Sequence, residues 1–201
     1  RCRLVGSEMC IRDRYKNICN YIHLPVQSGS SKILKKMNRG YTREWYLDRI
    51  KAIRKIMPDC AISTDIITGF CDESEDDFNE TLSLMKKVKF DFSYMFFYSE
   101  RPKTLAERKY EDNVPEKIKR ARLQKVIDLQ REHSISNNNF WVGKVMEVLV
   151  DGVSKKSELD LRGRNSENHK VVFPRENAKI GTYVNVLIEK CTSATLIGKI
   201  V

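Results

Sequence analysis

The sequence predicts an α/β fold followed by a small antiparallel β-barrel. Three observations carry this. Between Tyr21 and Tyr98, short apolar runs alternate with stretches of helical period. From Phe140 the rhythm changes to short alternating runs separated by polar turns that contain Gly and Asn. A long basic helix opened by Pro115 lies between the two. The order strand, helices, strand, helix, strand is a chain of βαβ crossovers and implies parallel strands. Three strands neither close a barrel nor finish a sheet, so the first part reads as the last portion of something larger.

The chain has 201 residues and 41% hydrophobic content, enough for a real core. Its net charge of +10 favours a polyanionic partner, nucleic acid first. No apolar run approaches the ~18 residues of a membrane span. The first residues are charged and lack the apolar core of a secretory signal, so a cytoplasmic protein is expected. Cys2, Cys10, Cys19, Cys60, Cys71 and Cys191 are scattered and form no CxxC pair, as thiols in a reducing compartment are. No metal ligands are expected in this chain. Residues 1–14 have no clean period and read as an unrelated or artefactual leader. Residues 15–137 are expected to form the α/β part and residues 138–201 the barrel.

Each element has its signal. Tyr21 to Val26 is a short strand whose unpaired edge is an aggregation hazard. Ser30 or Ser31 caps a short helix that ends at Gly40. Thr42 caps a second helix, whose apolar face is Tyr46, Ile50, Ile53 and Ile56 or Met57, and Pro58 closes it. Ala61 to Ile67 is the central strand. Ser74 and Asp77 make a capping box for a helix from Glu75 to Val88 that buries Phe78, Leu82, Met85 and Val88. The acidic run at its start fits the helix dipole better than a metal. Phe92 to Tyr98 is a strand, and residues 99–114 are a polar loop. The long helix reaches about Asn137, with an apolar stripe of Ile118, Leu123 or Ala121, Val126 or Ile127, and Leu129 or Gln130. Lys117, Lys119, Arg120, Arg122, Lys125 and Arg131 form its solvated face. The barrel strands are expected over residues 144–150, 170–173, 183–188 and 194–201, with basic turns at Lys155, Lys156, Arg162, Arg164 and Lys170.

The stretch ISTDIITGF, Ile62 to Phe70, organises the α/β part. Polar residues inside a covered strand need partners. Ser63 and Asp65 share one face by the two-residue period. They either cap the next turn or contact a ligand at the carboxyl end of the strand. Gly69 lets the backbone turn or approach a ligand closely.

Several linked motifs then meet a family. HLPVQSGS, MNRGYTRE, STDIITGF, EDDFNETL and YSERPKT, in this order and spacing, resemble the radical-SAM methylthiotransferases. GKVMEVLVDG to CTSATLIGKIV resembles their C-terminal TRAM domain. The resemblance covers about Tyr15 to Val201. It implies the C-terminal portion of a radical-SAM partial TIM-like barrel followed by TRAM. It also implies an enzyme that adds a methylthio group using S-adenosylmethionine and two 4Fe-4S clusters. SERP before Lys103 and the segment SELDLRGRNSENHKVVFP lean toward the branch that acts on a dimethylallyl-modified adenosine beside the tRNA anticodon. A sister branch acting on a ribosomal protein or another tRNA adenosine, and a non-catalytic RNA-binding module, are the alternatives. The family's CxxxCxxC cluster loop lies upstream of HLPVQSGS and is absent here, so the chain alone is expected to be inactive, with the cluster ligands in the missing N-terminal part. The partner is tRNA, the complete enzyme is expected to be monomeric, and the sulfur donor is open.

The resemblance places the strand ends at Gln27 and Ser28, and at Ser63 and Asp65, on the S-adenosylmethionine side. Their amide, hydroxyl and carboxylate groups match that cofactor, and Gly69 allows close backbone approach. His23 ranks below them as a core residue. Arg39, Arg43 and Arg101 flank the strand ends and either touch a phosphate or sit on the surface. Tyr94, Phe96 and Tyr98 alternate on one face and can stack on a base, while Phe92 and Phe97 read as core. The TRAM part carries ten Lys and Arg against seven Asp and Glu, a net +3 that permits phosphate contact through Lys155, Lys156, Arg162 and Arg164 without demanding it.

Overall fold

The computed structural model describes residues 18–201. The reading of residues 1–14 as a leader lies outside them. Thirteen elements follow in order: β1 (Tyr21–His23), α1 (Ser31–Lys36), α2 (Arg43–Ile56), β2 (Ala61–Thr68), α3 (Glu75–Val88), β3 (Phe92–Phe97), α4 (Leu105–Lys109), α5 (Glu116–Asn139), β4 (Val145–Val153), β5 (Asp160–Arg164), β6 (Lys170–Pro174), β7 (Tyr183–Cys191) and β8 (Leu196–Ile200). The chain divides into two compact units. One comprises His23–Lys55 with Ile62–Arg131, and the other gathers Ile56–Ala61 and Glu132–Val201 with the described residues before His23.

A three-stranded sheet has the order β1-β2-β3, and the first unit holds β3, β2 from Ile62 onward and His23 of β1. β2 and β3 are parallel, with Asp65 opposite Tyr94 and Ile67 opposite Phe96. The helices start where their caps predict. Ser30 Oγ accepts from Ile33 N, and Thr42 Oγ1 accepts from Trp45 N. Ser74 and Asp77 form a reciprocal capping box. Ile33, Tyr46, Ile53, Ile62, Ile66, Phe78, Leu84 and Phe90 are fully buried and make the core. Leu84, not Leu82, is the buried leucine of α3.

Three further expectations fail in this unit. Residues 99–114 hold a short helix, α4, capped by Thr104. Phe92 is exposed rather than core. The buried residues of α5 include Lys119, Arg122, Val126 and Gln130, so the packed stripe has the helical period but mostly polar side chains. Each polar member is partnered. Lys119 Nζ pairs with Asp112 and donates to Tyr98 O, Arg122 pairs with Glu73, and Gln130 Nε2 donates to Phe90 O.

The second unit is a closed barrel of order β4-β5-β6-β8-β7. β6 and β8 are parallel, and the other pairs are antiparallel. Val148, Val150, Leu161, Val171, Phe173, Val186, Ile188 and Leu196 fill it. β5 has no counterpart among the predicted strands. Arg162 and Arg164 therefore stand on a strand and not in a turn. The two inward residues of β5, Leu161 and Gly163, give only a faint alternation. Gly198 of β8 lies so close to β7 that a Cβ there would fall 2.1 Å from the Leu187 carbonyl oxygen.

Candidate functional site

One face of the three-stranded sheet brings polar and aromatic side chains together. β1 contributes His23, β2 contributes Ser63 and Asp65, and β3 contributes Phe92, Tyr94 and Phe96. The period of two sets this. Ile62, Thr64 and Ile66 turn to the buried side, and their neighbours turn to the other.

The polar part is a short chain of contacts. His23 Nδ1 lies 2.7 Å from Ser63 Oγ, and His23 Nε2 lies 3.4 Å from Asp65 Oδ1. The imidazole thus stands between a hydroxyl at Nδ1 and a carboxylate, which only accepts, at Nε2. Ser63 is fully buried, which makes it a support for the imidazole. Asp65 keeps 28% of its side chain open and faces outward. The His23 ring meets Tyr94 edge-on at 5.9 Å, and Tyr94 meets Phe92 edge-on at 4.8 Å. Phe92, Tyr94 and Phe96 are 49%, 50% and 55% exposed, an unusual concentration of open aromatic surface.

Gln27 stands beside this face. Its φ of 67° is left-handed, a costly setting for a residue with a side chain. Two backbone bonds hold it: Gln27 N donates to Asp65 O, and Ile67 N donates to Gln27 O. Ser28 differs, because its buried hydroxyl accepts from Ser30 N and lies 3.4 Å from Thr81 Oγ1. Gly69 also has a structural occupation. Its φ is 71°, and the space a Cβ would take is filled by Lys119 Cγ at 2.3 Å. The close approach it allows is to α5. Gly69 N donates to Glu73 Oε2, whose carboxyl is pushed up by burial, against the pull of this bond and of Arg122.

The arginines divide. Arg43 donates to Gly29 O, Glu80 O and Ser83 Oγ, tying α2 to α3. Arg39 and Arg101 are exposed. In the barrel, Lys155 and Lys156 are exposed, Arg162 Nε donates to Asp151 Oδ1 at 2.9 Å, and Arg164 binds Asn168. The structure brings Ser63 and Asp65 together, adds His23 and the exposed Phe92, and leaves Ser28, Gly69 and Arg43 with internal partners. The signal for Phe92 was the alternation with Ser93, whose small buried side chain assigns the large ones to the other face.

The described cysteines are Cys19, Cys60, Cys71 and Cys191. Among the described residues, no three His, Cys, Asp or Glu come together as metal ligands. A 4Fe-4S cluster needs thiolates gathered at one point, so these residues do not fit one. Cys71 is buried beside Ile33 and Phe70, and burial pushes its thiol up, away from the thiolate.

Residues 12–85 match the Radical SAM superfamily, and residues 140–201 match the TRAM domain. A protein of Amoebophilus asiaticus named tRNA-2-methylthio-N(6)-dimethylallyladenosine synthase is 59% identical over 187 residues, 92% of this chain and 38% of that protein. Proteins of the same name from Christiangramia forsetii and Parabacteroides distasonis are 58% and 56% identical, over 92% and 91% of this chain. The chain spans 38% to 40% of the length of these three relatives.

Proposed function

We propose, from the Radical SAM match over residues 12–85 and the TRAM match over residues 140–201, that the chain is the C-terminal part of a tRNA methylthiotransferase acting on N6-dimethylallyladenosine beside the anticodon. In this reading residues 15–137 complete a partial TIM-like barrel with upstream strands, and residues 138–201 form the tRNA-gripping module. The observation that carries it is the face of β1, β2 and β3, where a partly open carboxylate, an imidazole and open aromatic rings stand side by side.

The donor set fits S-adenosylmethionine. Asp65 would hold its amino or ribose hydroxyl groups, and the Gln27 side chain would add an amide contact. His23, fixed by Ser63, would keep the Asp65 carboxylate oriented. Tyr94 and Phe96 offer flat faces to a base. When bound, the cofactor supplies the methyl group. The 4Fe-4S clusters of the family need ligands beyond the described residues. Lys155, Lys156, Arg162 and Arg164 of the barrel, with Arg39 and Arg101, are assigned to RNA phosphates, and Arg43 to positioning α2 against α3. A complete enzyme of this kind works in the cytoplasm as a monomer. No described helix is long and apolar enough to cross a membrane.

The test is a chimera. The matching 187 residues of the Amoebophilus relative are replaced by those of this chain. Mass spectrometry of tRNA should then find the methylthio group, and Asp65→Ala in the chimera should weaken S-adenosylmethionine binding about tenfold or more, the weight of a lost charged hydrogen bond. Unchanged cofactor binding and turnover in Asp65→Ala would remove Asp65 from the site.

A further inference from the structure

A row of side chains crosses the outer face of the barrel. Leu149 of β4 stands opposite Tyr183 of β7 on one side and Arg164 of β5 on the other, and Arg164 stands opposite Lys170 of β6. Residues paired in this way share a face of the sheet. The row therefore runs aromatic, aliphatic, cation, cation. Tyr183 and Leu149 are exposed. Together with Arg164, Glu147, Val145 and Trp141 they line a cavity of about 670 Å³, to which Ile18 and Tyr21 of the same unit add apolar surface. Pockets for small ligands span about 300–1,000 Å³. Arg164 is fixed in advance, with Nη1 2.7 Å from Asn168 Oδ1 and Nε 3.7 Å from Asp151 Oδ2. Lys170 has no ion pair among the described residues. Like charges directly opposite each other on neighbouring strands repel, and an anion between Arg164 and Lys170 would relieve that. Glu147 is exposed and has no ion pair or hydrogen bond among the described residues. It pairs with Asn185 and so lies diagonal to Tyr183, about 7–8 Å away, the span of a base.

We infer that this face of the barrel takes one unpaired RNA nucleotide, with its base on Tyr183 and Leu149, its amino group donating to Glu147 and its phosphate between Arg164 and Lys170. The inference rests on the tRNA reading above and adds to it a subsite on the barrel that reads a base. Three features point the same way. An open ring beside an aliphatic side chain is a stacking platform for a flat base. The two cations stand on one side of that platform, and a nucleotide joins base and phosphate within one residue. The acceptor sets a preference. Adenine, cytosine and guanine present amino hydrogens on their Watson–Crick edges, whereas uracil presents a single N–H between two carbonyl oxygens that a carboxylate repels. Phosphate contacts alone would grip any sequence equally, so Glu147 is what makes this face selective.

The experiment titrates the full chain with short oligoadenylate, short oligouridylate and an anticodon stem-loop RNA. Oligoadenylate should bind more tightly than oligouridylate. Tyr183→Ala should weaken oligoadenylate binding about tenfold without changing its salt dependence, and Tyr183→Phe, which keeps the ring, should restore it. Arg164→Ala should instead lower the salt slope by about 1. Glu147→Gln, which offers a donor to the uracil carbonyls, should narrow the preference for oligoadenylate. A second measurement needs no variant: oligoadenylate carrying 8-azidoadenosine should, on irradiation, label Tyr183, Leu149 or Trp141. Full affinity in Tyr183→Ala, an unaltered preference in Glu147→Gln, or labelling confined to residues outside the cavity would overturn the inference. Binding of the stem-loop with no binding of either oligonucleotide would also overturn it and leave the tRNA reading in place. Failure to bind all three RNAs would overturn both.

Discussion

Arg122 and Glu73 meet where water hardly reaches, with their side chains 8% and 1% open. Removing one partner strands the other as a buried charge. Arg122→Met should therefore cost about 3–5 kcal/mol, read from urea unfolding, whereas the double change with Glu73→Leu should recover much of the loss. A single-variant cost under about 1 kcal/mol would place the pair among weak surface bridges. Asp77 makes a pH prediction. Burial pushes its carboxyl up, but hydrogen bonds from Lys32, Ser74 and Ser30 outweigh it and hold the group well below the usual carboxylate range. A depressed folded-state pKa stabilises above the unfolded value, about 4, and that contribution is lost as pH falls through the folded value. The urea midpoint should drop as pH falls below about 4, and Asp77→Asn should flatten this dependence.

At the scale of elements, Gly198 tests how tightly β8 is drawn onto β7. A methyl group there has no room beside the Leu187 carbonyl, so Gly198→Ala should cost about 1–3 kcal/mol and lower the barrel's melting temperature. An unchanged melt would mean that the strands separate easily. Most elements were legible in the sequence because their local chemistry agreed with their tertiary role. The Ser30, Thr42 and Ser74 caps, the Tyr46, Ile50 and Ile53 stripe, and the shared face of Ser63 and Asp65 all follow from spacing. The solvated face expected for α5 differs at Lys119 and Arg122, because hydrophobic period assumes an apolar buried face and here both are buried through partners in loops, Asp112 and Glu73. The same blindness applied to Gly69, whose neighbour Lys119 is fifty residues away in sequence. β5 was missed because a strand of five residues with Gly at an inward position lacks an apolar run. His23 was ranked low because its value lies in being flanked by Ser63 and Asp65, forty residues on.

At the scale of the whole molecule, the net charge of +10 against +3 for residues 140–201 puts most of the excess positive charge outside the barrel. Binding to an anticodon stem-loop should weaken about tenfold or more between 50 and 200 mM salt. The double variant Lys155→Ala with Lys156→Ala should lower the salt slope by about 1 for each phosphate no longer neutralised and weaken all RNA sequences alike. A salt-independent affinity would count against phosphate contacts. The strand order of the barrel has a consequence for synthesis. β8 pairs with both β6 and β7, so the barrel strand latest in sequence is the one that closes the ring. While the chain is being translated, β4 to β7 can assemble only as an open ribbon with its apolar interior uncovered. Ile200 must clear the ribosomal exit tunnel before the circle is complete, so a chaperone bound to the nascent chain has this stretch to shield until β8 emerges.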